Sequence, residues 1–228
     1  MNRALGWLGD RARDVALWPR NLARDLPRRA RRLPAFLDEG SVAAQAGALA
    51  AYLWDLAGGP ELFSLLWRLV TRTSALTEEE LERAAGVLGD EAIRFRDVRV
   101  AEGGVLNLIF PRNGGRGFVT YHTVNLPRAG GRNRTEAGLL VHELVHVLQH
   151  ERLGSVYIPQ CLHAQRTEGY GYGGAEGLRE ARGQGKRLCD FNREQQAQIA
   201  EDYYNCRQAN QDVTAYEPFI EDLRKGMI

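Results

Sequence analysis

Val141-His142-Glu143-Leu144-Val145-His146-Val147-Leu148-Gln149-His150 is the stretch on which the reading of this chain turns. It carries the pattern His-Glu-x-x-His inside an otherwise apolar run, and the run reads as an amphipathic helix. Four residues make just over one helical turn, so His142 and His146 project from one face and can offer two imidazole nitrogens to a single ion. Glu143 sits beside them, placed to touch a water held by that ion. Asn133 followed by Glu136 offers a capping box, and a helix starting near Arg134 puts the motif in mid-helix, where its geometry is fixed. Chance produces this spacing in many solvated helices. Here both histidines lie among apolar residues, where an unpaired imidazole is costly to bury, and that favours a metal site.

A third ligand has to come from elsewhere. Asn192 with Gln195 forms a second capping-box pattern ahead of a helix running through Tyr204, which puts Glu194 in its first turn. Ile199, Tyr203 and Cys206 make an apolar line, while Glu194, Ala197, Gln198 and Glu201 fall on a different face. A carboxylate beside a small alanine can be drawn close to a neighbouring helix. Glu194 is therefore a reasonable third ligand, and Glu201, seven residues on and nearly on the same face, is its rival.

Between residue 76 and the metal motif the pattern alternates. Thr77 caps a helix to about Leu88, and Phe95 to Val100 reads as a strand with Val98 and Val100 on one face. Leu106 to Phe110 reads as a second strand and Phe118 to Leu126 as a third, with the turn-rich Pro111 to Gly117 joining them as a hairpin. His122 reads as a strand residue rather than a ligand. Beyond the motif, Leu153 to about Asp190 reads as irregular. Its Tyr170-Gly171-Tyr172-Gly173-Gly174 segment is either a loop over a cleft or a plain connection.

Residues 1–75 differ from the rest. Nine Arg lie between Arg3 and Arg32, with apolar residues at helical intervals, and Pro19, Pro27 and Pro34 are expected to cut this stretch into short helices. Two apolar helices follow, Ser41 to Leu56 and Pro60 to Thr71. Basic amphipathic helices with tryptophan can lie on anionic membranes or dock on a partner; the plainer reading is a helical appendage with a solvated Arg face.

Composition bounds the rest. A chain of 228 residues, 44% hydrophobic, can bury a real core, and a net charge of +1 gives no pull toward nucleic acid. Three cysteines without a Cys-x-x-Cys pair argue against a disulfide framework. Cys161 and His163 together with Cys189 or Cys206 would make a second metal site, but buried structural thiols are the commoner explanation. Neither a signal peptide nor a membrane-spanning run is evident, so the expectation is a cytoplasmic chain, open to export by a specialised secretion system.

Leu76 to Tyr204 resembles the gluzincin type of zinc metallopeptidase, in which the helix after His-Glu-x-x-His donates a glutamate. More narrowly it resembles the zincin-like domains of bacterial Vgr-related proteins and is similar to those of toxin and secretion-system polypeptides. The stretches that carry the resemblance are Leu76 to Glu80, Ile93 to Val100, Val141 to Gln149, Tyr170 to Gly174 and Phe191 to Tyr204. It implies an α+β zincin-like domain over 76–228, with a small sheet ahead of the metal helix and a helical region, 1–75, before it. It implies Zn2+ held by His142, His146 and Glu194, with Glu143 as catalytic glutamate. The best-known gluzincins place an aspartate four residues after the ligand glutamate to orient a histidine. That place is Gln198 here, so Asp202 is expected to take over the contact. Tyr170, Tyr172 and His163 are candidate donors to a tetrahedral oxyanion.

The implied activity is hydrolysis of a peptide or protein substrate by a zinc-bound water that Glu143 activates. The alternative is a zincin-like module that binds zinc or a partner protein without turnover, associated with a secretion or toxin system.

Overall fold

In the computed structural model, which describes residues 3–31, 42–129 and 132–228, the molecule is α+β: ten α-helices among the described residues and one four-stranded mixed sheet. The helices are α1 Arg3–Ala30, α2 Val42–Leu56, α3 Gly59–Val70, α4 Glu78–Leu88, α5 Leu106–Asn113, α6 Ala137–Leu153, α7 Tyr157–Arg166, α8 Gly174–Gly183, α9 Arg193–Gln208 and α10 Glu217–Arg224. The strands are β1 Thr71–Ala75, β2 Arg99–Gly104, β3 Phe118–Thr120 and β4 Thr123–Asn125, in spatial order β1-β2-β4-β3. Only β2 and β4 run parallel. Because β1 precedes residue 76, the sheet straddles the expected boundary between the two segments.

Side chains alternate across a strand, so the sheet has two faces, and both are covered. Val98, Val100, Val119 and Val124 join the main core with Leu88, Leu144, Leu148, Ile199 and Phe219, beneath α4, α6, α9 and α10. Ala101, Thr123 and Asn125 face the other way. Ser64, Trp67 and Arg68 of α3 meet Thr123 and Asn125 through hydrogen bonds of 2.7–3.2 Å, and Ala101 packs with Leu106 and Phe110 of α5.

Several expected elements take another form. Leu106–Phe110 is helix, not strand: a short apolar run has no periodicity that separates the two, and here it packs Leu106 and Phe110 onto Ala101. The hairpin lies instead within Phe118–Asn125, where Tyr121 takes a left-handed backbone (φ 55°) and His122 completes the turn. Phe95–Asp97 is a 3-10 turn, and the strand starts at Arg99.

The stretch from 153 to 190 is mostly helical, holding α7 and α8. Asn133 does not cap α6. Its side chain accepts from Thr135, two residues on, so the helix begins only at Ala137. Pro19 and Pro27 sit inside the continuous α1. Both are exposed, so the carbonyls they leave unpaired can meet water, and buried ion pairs from Arg11, Asp14, Asp25 and Arg29 pin the helix along its length. Pro34 lies outside the described residues. The two apolar helices, the Thr77 cap and the Asn192 capping box form as read, and Glu80 makes the Thr77 cap a capping box as well.

α6 also departs from expectation in a way that matters. It is not half-exposed but buried on every side from Gly138 to Glu151. Its polar residues must then find their partners inside the protein.

Glu151, at the far end of α6, is one of these. Its carboxylate lies 2.5 Å from His122 Nε2 and accepts from the Arg94 backbone N–H at 3.1 Å. Burial alone would raise its pKa, but His122 and the Arg94 guanidinium outweigh this and hold it at about 2, against an ordinary 4.5. A carboxyl whose folded pKa is depressed contributes stability that is complete above 4.5 and is lost as pH falls toward 2. At about 1.4 kcal/mol per pH unit, that contribution is roughly 3 kcal/mol. Glu151→Gln should therefore lower the urea midpoint at pH 6.5 and do so much less at pH 2.5. An equal penalty at both pH values would show that the charge contributes nothing.

Candidate metal centre

α6 and α9 make the most extensive helix–helix contact in the molecule. One turn of α6 brings His142 and His146 to the first turn of α9, where Glu194 sits. His142 Nε2 and His146 Nε2 each lie 3.5 Å from Glu194 Oε2, and the three donor atoms fall within 4.8 Å of one another. All three side chains are buried, Glu194 to 1% exposure.

The surrounding hydrogen bonds fix which atoms can carry protons. Gln149 Nε2 donates to the Arg193 carbonyl (2.9 Å) and to Gln196 Oε1 (3.0 Å), so Gln149 Oε1 is an acceptor and faces His146 Nδ1 at 2.8 Å. A proton is then on Nδ1, and Nε2 is the ring nitrogen turned toward Glu194. His142 Nδ1 lies 3.1 Å from Glu201 Oε2, though not in line for an ideal hydrogen bond, and this carboxylate likewise favours the Nδ1–H form. Glu201 is held in turn by Arg132 Nη2, 3.1 Å from both its oxygens. Gln165 Nε2 of α7 donates to Glu194 Oε1 at 2.8 Å, leaving Oε2 free to face the imidazoles.

Three atoms that can each donate a lone pair to an ion thus converge. A separation of 3.5 Å is long for a hydrogen bond. It does match a tetrahedral ion: two donors about 2.1 Å from such an ion lie about 3.4 Å apart. The titration tendencies agree. Burial would raise the Glu194 pKa, yet the two imidazoles hold the carboxyl far below its usual range; burial would lower the histidines, yet Glu194 and Glu201 raise His142, and Cys161 followed by Glu194 raises His146. Each side of the group asks for positive charge between them. The donor set, two imidazoles and one carboxylate, fits zinc.

Glu143 stands beside this group. Burial pushes its carboxyl pKa up, and its Oε2 has no hydrogen-bond partner among the described residues. The other oxygen, Oε1, lies against Gly117, where any side chain would collide with it. Glycine is needed there so that the strand β3 region can approach the carboxylate.

The remaining candidates divide. Tyr170 is near the centre, its ring 5.9 Å from that of His142, and burial with the Glu194 charge pushes its phenol up to about 12. Tyr172 is not. Its hydroxyl donates to Asp202 Oδ2 at 2.5 Å, so Asp202 is engaged there and with Gln198, and does not orient a histidine. Glu201 takes the orienting role, on the Nδ1 side of His142 and away from the convergent atoms. His163 is exposed on α7. Cys161 Sγ lies 3.8 Å from His146 Nδ1, Cys189 is exposed and no second cluster of metal-binding side chains occurs among the described residues.

Gln149 and Gln165 were not anticipated. The first stands three residues after His146, on the same helical face, and that spacing was available as a signal. The second comes from α7, a helix the sequence did not announce. Compared with family models, curated proteins and solved structures, the chain finds no match in any of the three.

Proposed function

We propose that the chain is a zinc-dependent hydrolase of peptide bonds, built on a zincin-like domain. The observation that carries this is the pair of 3.5 Å separations from Glu194 Oε2 to two imidazole nitrogens, with Gln149 bonded to the other ring nitrogen of His146 and Glu201 3.1 Å from that of His142. When bound, the ion would supply a Lewis acid that polarises the scissile carbonyl and lowers the pKa of a water toward about 7. Glu143 would serve as the proton acceptor and donor for the attacking water and the leaving amine, a role suited to a carboxylate with an unpartnered oxygen and a raised pKa. Glu201 and Gln149 orient the imidazoles. Tyr170, beside His142, is the donor best placed to meet a developing oxyanion.

A second reading, a zinc-binding module without turnover, is favoured by the depth of the site: every ligand is buried, and α7 reaches Glu194 through Gln165. Elemental analysis of the purified chain together with a broad peptide-library digest separates the two. About one zinc per chain with defined cleavage, abolished by chelation and restored by zinc, is expected. Full zinc without cleavage would support the module, and no zinc would sink both.

No helix among the described residues is long and apolar enough to cross a membrane.

A further inference from the structure

α3 is inside out. Its buried side chains include Glu61, Ser64 and Arg68, while Leu62, Leu66 and Leu69 are exposed. α2 repeats the pattern, with Asp55 buried and Leu49, Leu53 and Trp54 outside. From residue 45 to 70 the only ionisable acids and bases are Asp55, Glu61 and Arg68 apart from the Tyr52 phenol, and all are buried. Every exposed residue in that span is Ala, Gly, Leu, Phe, Trp or Val.

The inward polar groups are satisfied. Asp55 accepts from Ser155 N (2.9 Å) and Oγ (2.6 Å), Glu61 pairs with Arg29, and Arg68 with Asp14 (2.8 Å). A fold that satisfies its charges inside and turns leucines outward has an apolar medium on that side.

α1, which packs along both α2 and α3, indicates what the medium is. Going round this helix, the buried face with Asp14, Asp25 and Arg29 gives way to exposed Val15, Leu26 and several alanines, and then to exposed Arg13, Arg20, Arg24 and Arg31. No described acid of α1 is fully exposed. An apolar stripe edged by a row of arginines suits the boundary between acyl chains and anionic headgroups. A two-fold dimer through the same face would gather two arginine rows at one interface, like charge beside like charge. With 15 and 12 residues, α2 and α3 are about 22 and 18 Å long, too short for a hydrocarbon core of about 30 Å.

We propose that the outer face of the α2–α3 hairpin docks on the surface of an anionic lipid bilayer, lying in the interface rather than spanning it, with the α1 arginines on headgroup phosphates. The site does not involve the metal centre, so it stands or falls independently of the hydrolase reading.

The test is flotation of the full chain, as purified, with vesicles of phosphatidylcholine alone and of phosphatidylcholine mixed with phosphatidylglycerol. Flotation with the mixed vesicles, weakened by salt, is expected, with quenching of tryptophan emission by brominated lipid. Leu53→Ser with Leu66→Ser should cut the partition coefficient at least about tenfold. Arg20→Gln and Arg24→Gln should each cost about fivefold on anionic vesicles alone. All four positions are exposed, so thermal unfolding should be unchanged. Three outcomes would overturn the proposal: no flotation with either vesicle, equal flotation of the leucine variants, or a dimer in solution that the leucine variants dissociate without any vesicle binding.

Discussion

Glu143→Gln should lower kcat/KM for a cleaved peptide by about 10²–10⁴ while leaving the zinc content unchanged. The reason lies in the division of labour on α6. His142 and His146 face Glu194, and their orientation depends on Glu201 and Gln149. The Glu143 carboxylate is held instead between the metal group and Gly117, with one oxygen unpartnered. Glutamine keeps the volume and the fit against Gly117 but cannot accept a proton at neutral pH. Loss of turnover with metal retained is therefore specific to a proton-transfer role. Glu194→Gln is the contrasting control: it removes the anionic member of the donor set and should lose zinc and activity together. Undiminished hydrolysis by the zinc-loaded Glu143→Gln protein would disprove the assigned chemistry.

How much of this centre could be read beforehand follows from the range of the interactions. His142 and His146 meet because of one helical turn, and a spacing of four states that by itself. The convergence of Glu194 is a long-range event that depends on α9 lying along α6, yet its place was readable from the Asn192 capping box, which fixes where the helix starts and hence which face the carboxylate takes. Glu201 shows where such reasoning stops. Periodicity put it on the same face as Glu194, but seven residues make about two turns, about 10 Å along the axis, and that carries it past the Nε2 side of His142 to Nδ1.

The misread elements have one cause. Leu106–Phe110 and the 153–190 stretch are short and lack strong caps, so packing decides their form. The reversed polarity of α3 has the opposite origin. Its apolar residues alone do not say which face is turned inward. Which side is inward was decided by partners far away in sequence, Arg29 for Glu61 and Asp14 for Arg68.

Arg68→Met should destabilise the fold by roughly 3–5 kcal/mol, the usual cost of removing one member of a buried ion pair. This side chain joins four separate parts of the chain. From α3 its guanidinium donates to Asp14 Oδ1 of α1 (2.8 Å), Thr123 Oγ1 of β4 (2.8 Å), the Asp97 carbonyl (3.1 Å) and the His122 carbonyl (3.0 Å). Burial lowers its pKa from 12.5 to about 10, against the pull of Asp14, so it is still fully charged at neutral pH. Methionine fills similar space without donors, leaving a carboxylate, a hydroxyl and two carbonyls short of a partner. The midpoint of thermal unfolding should fall on the order of 10 °C. Asp14→Asn, added to Arg68→Met, should cost much less than the two single changes summed, because the buried anion is then gone. Additive penalties would mean that α1 is not held through this pair. Zinc content at 10 °C should survive in both variants, since α6 and α9 carry the donor set without help from α3.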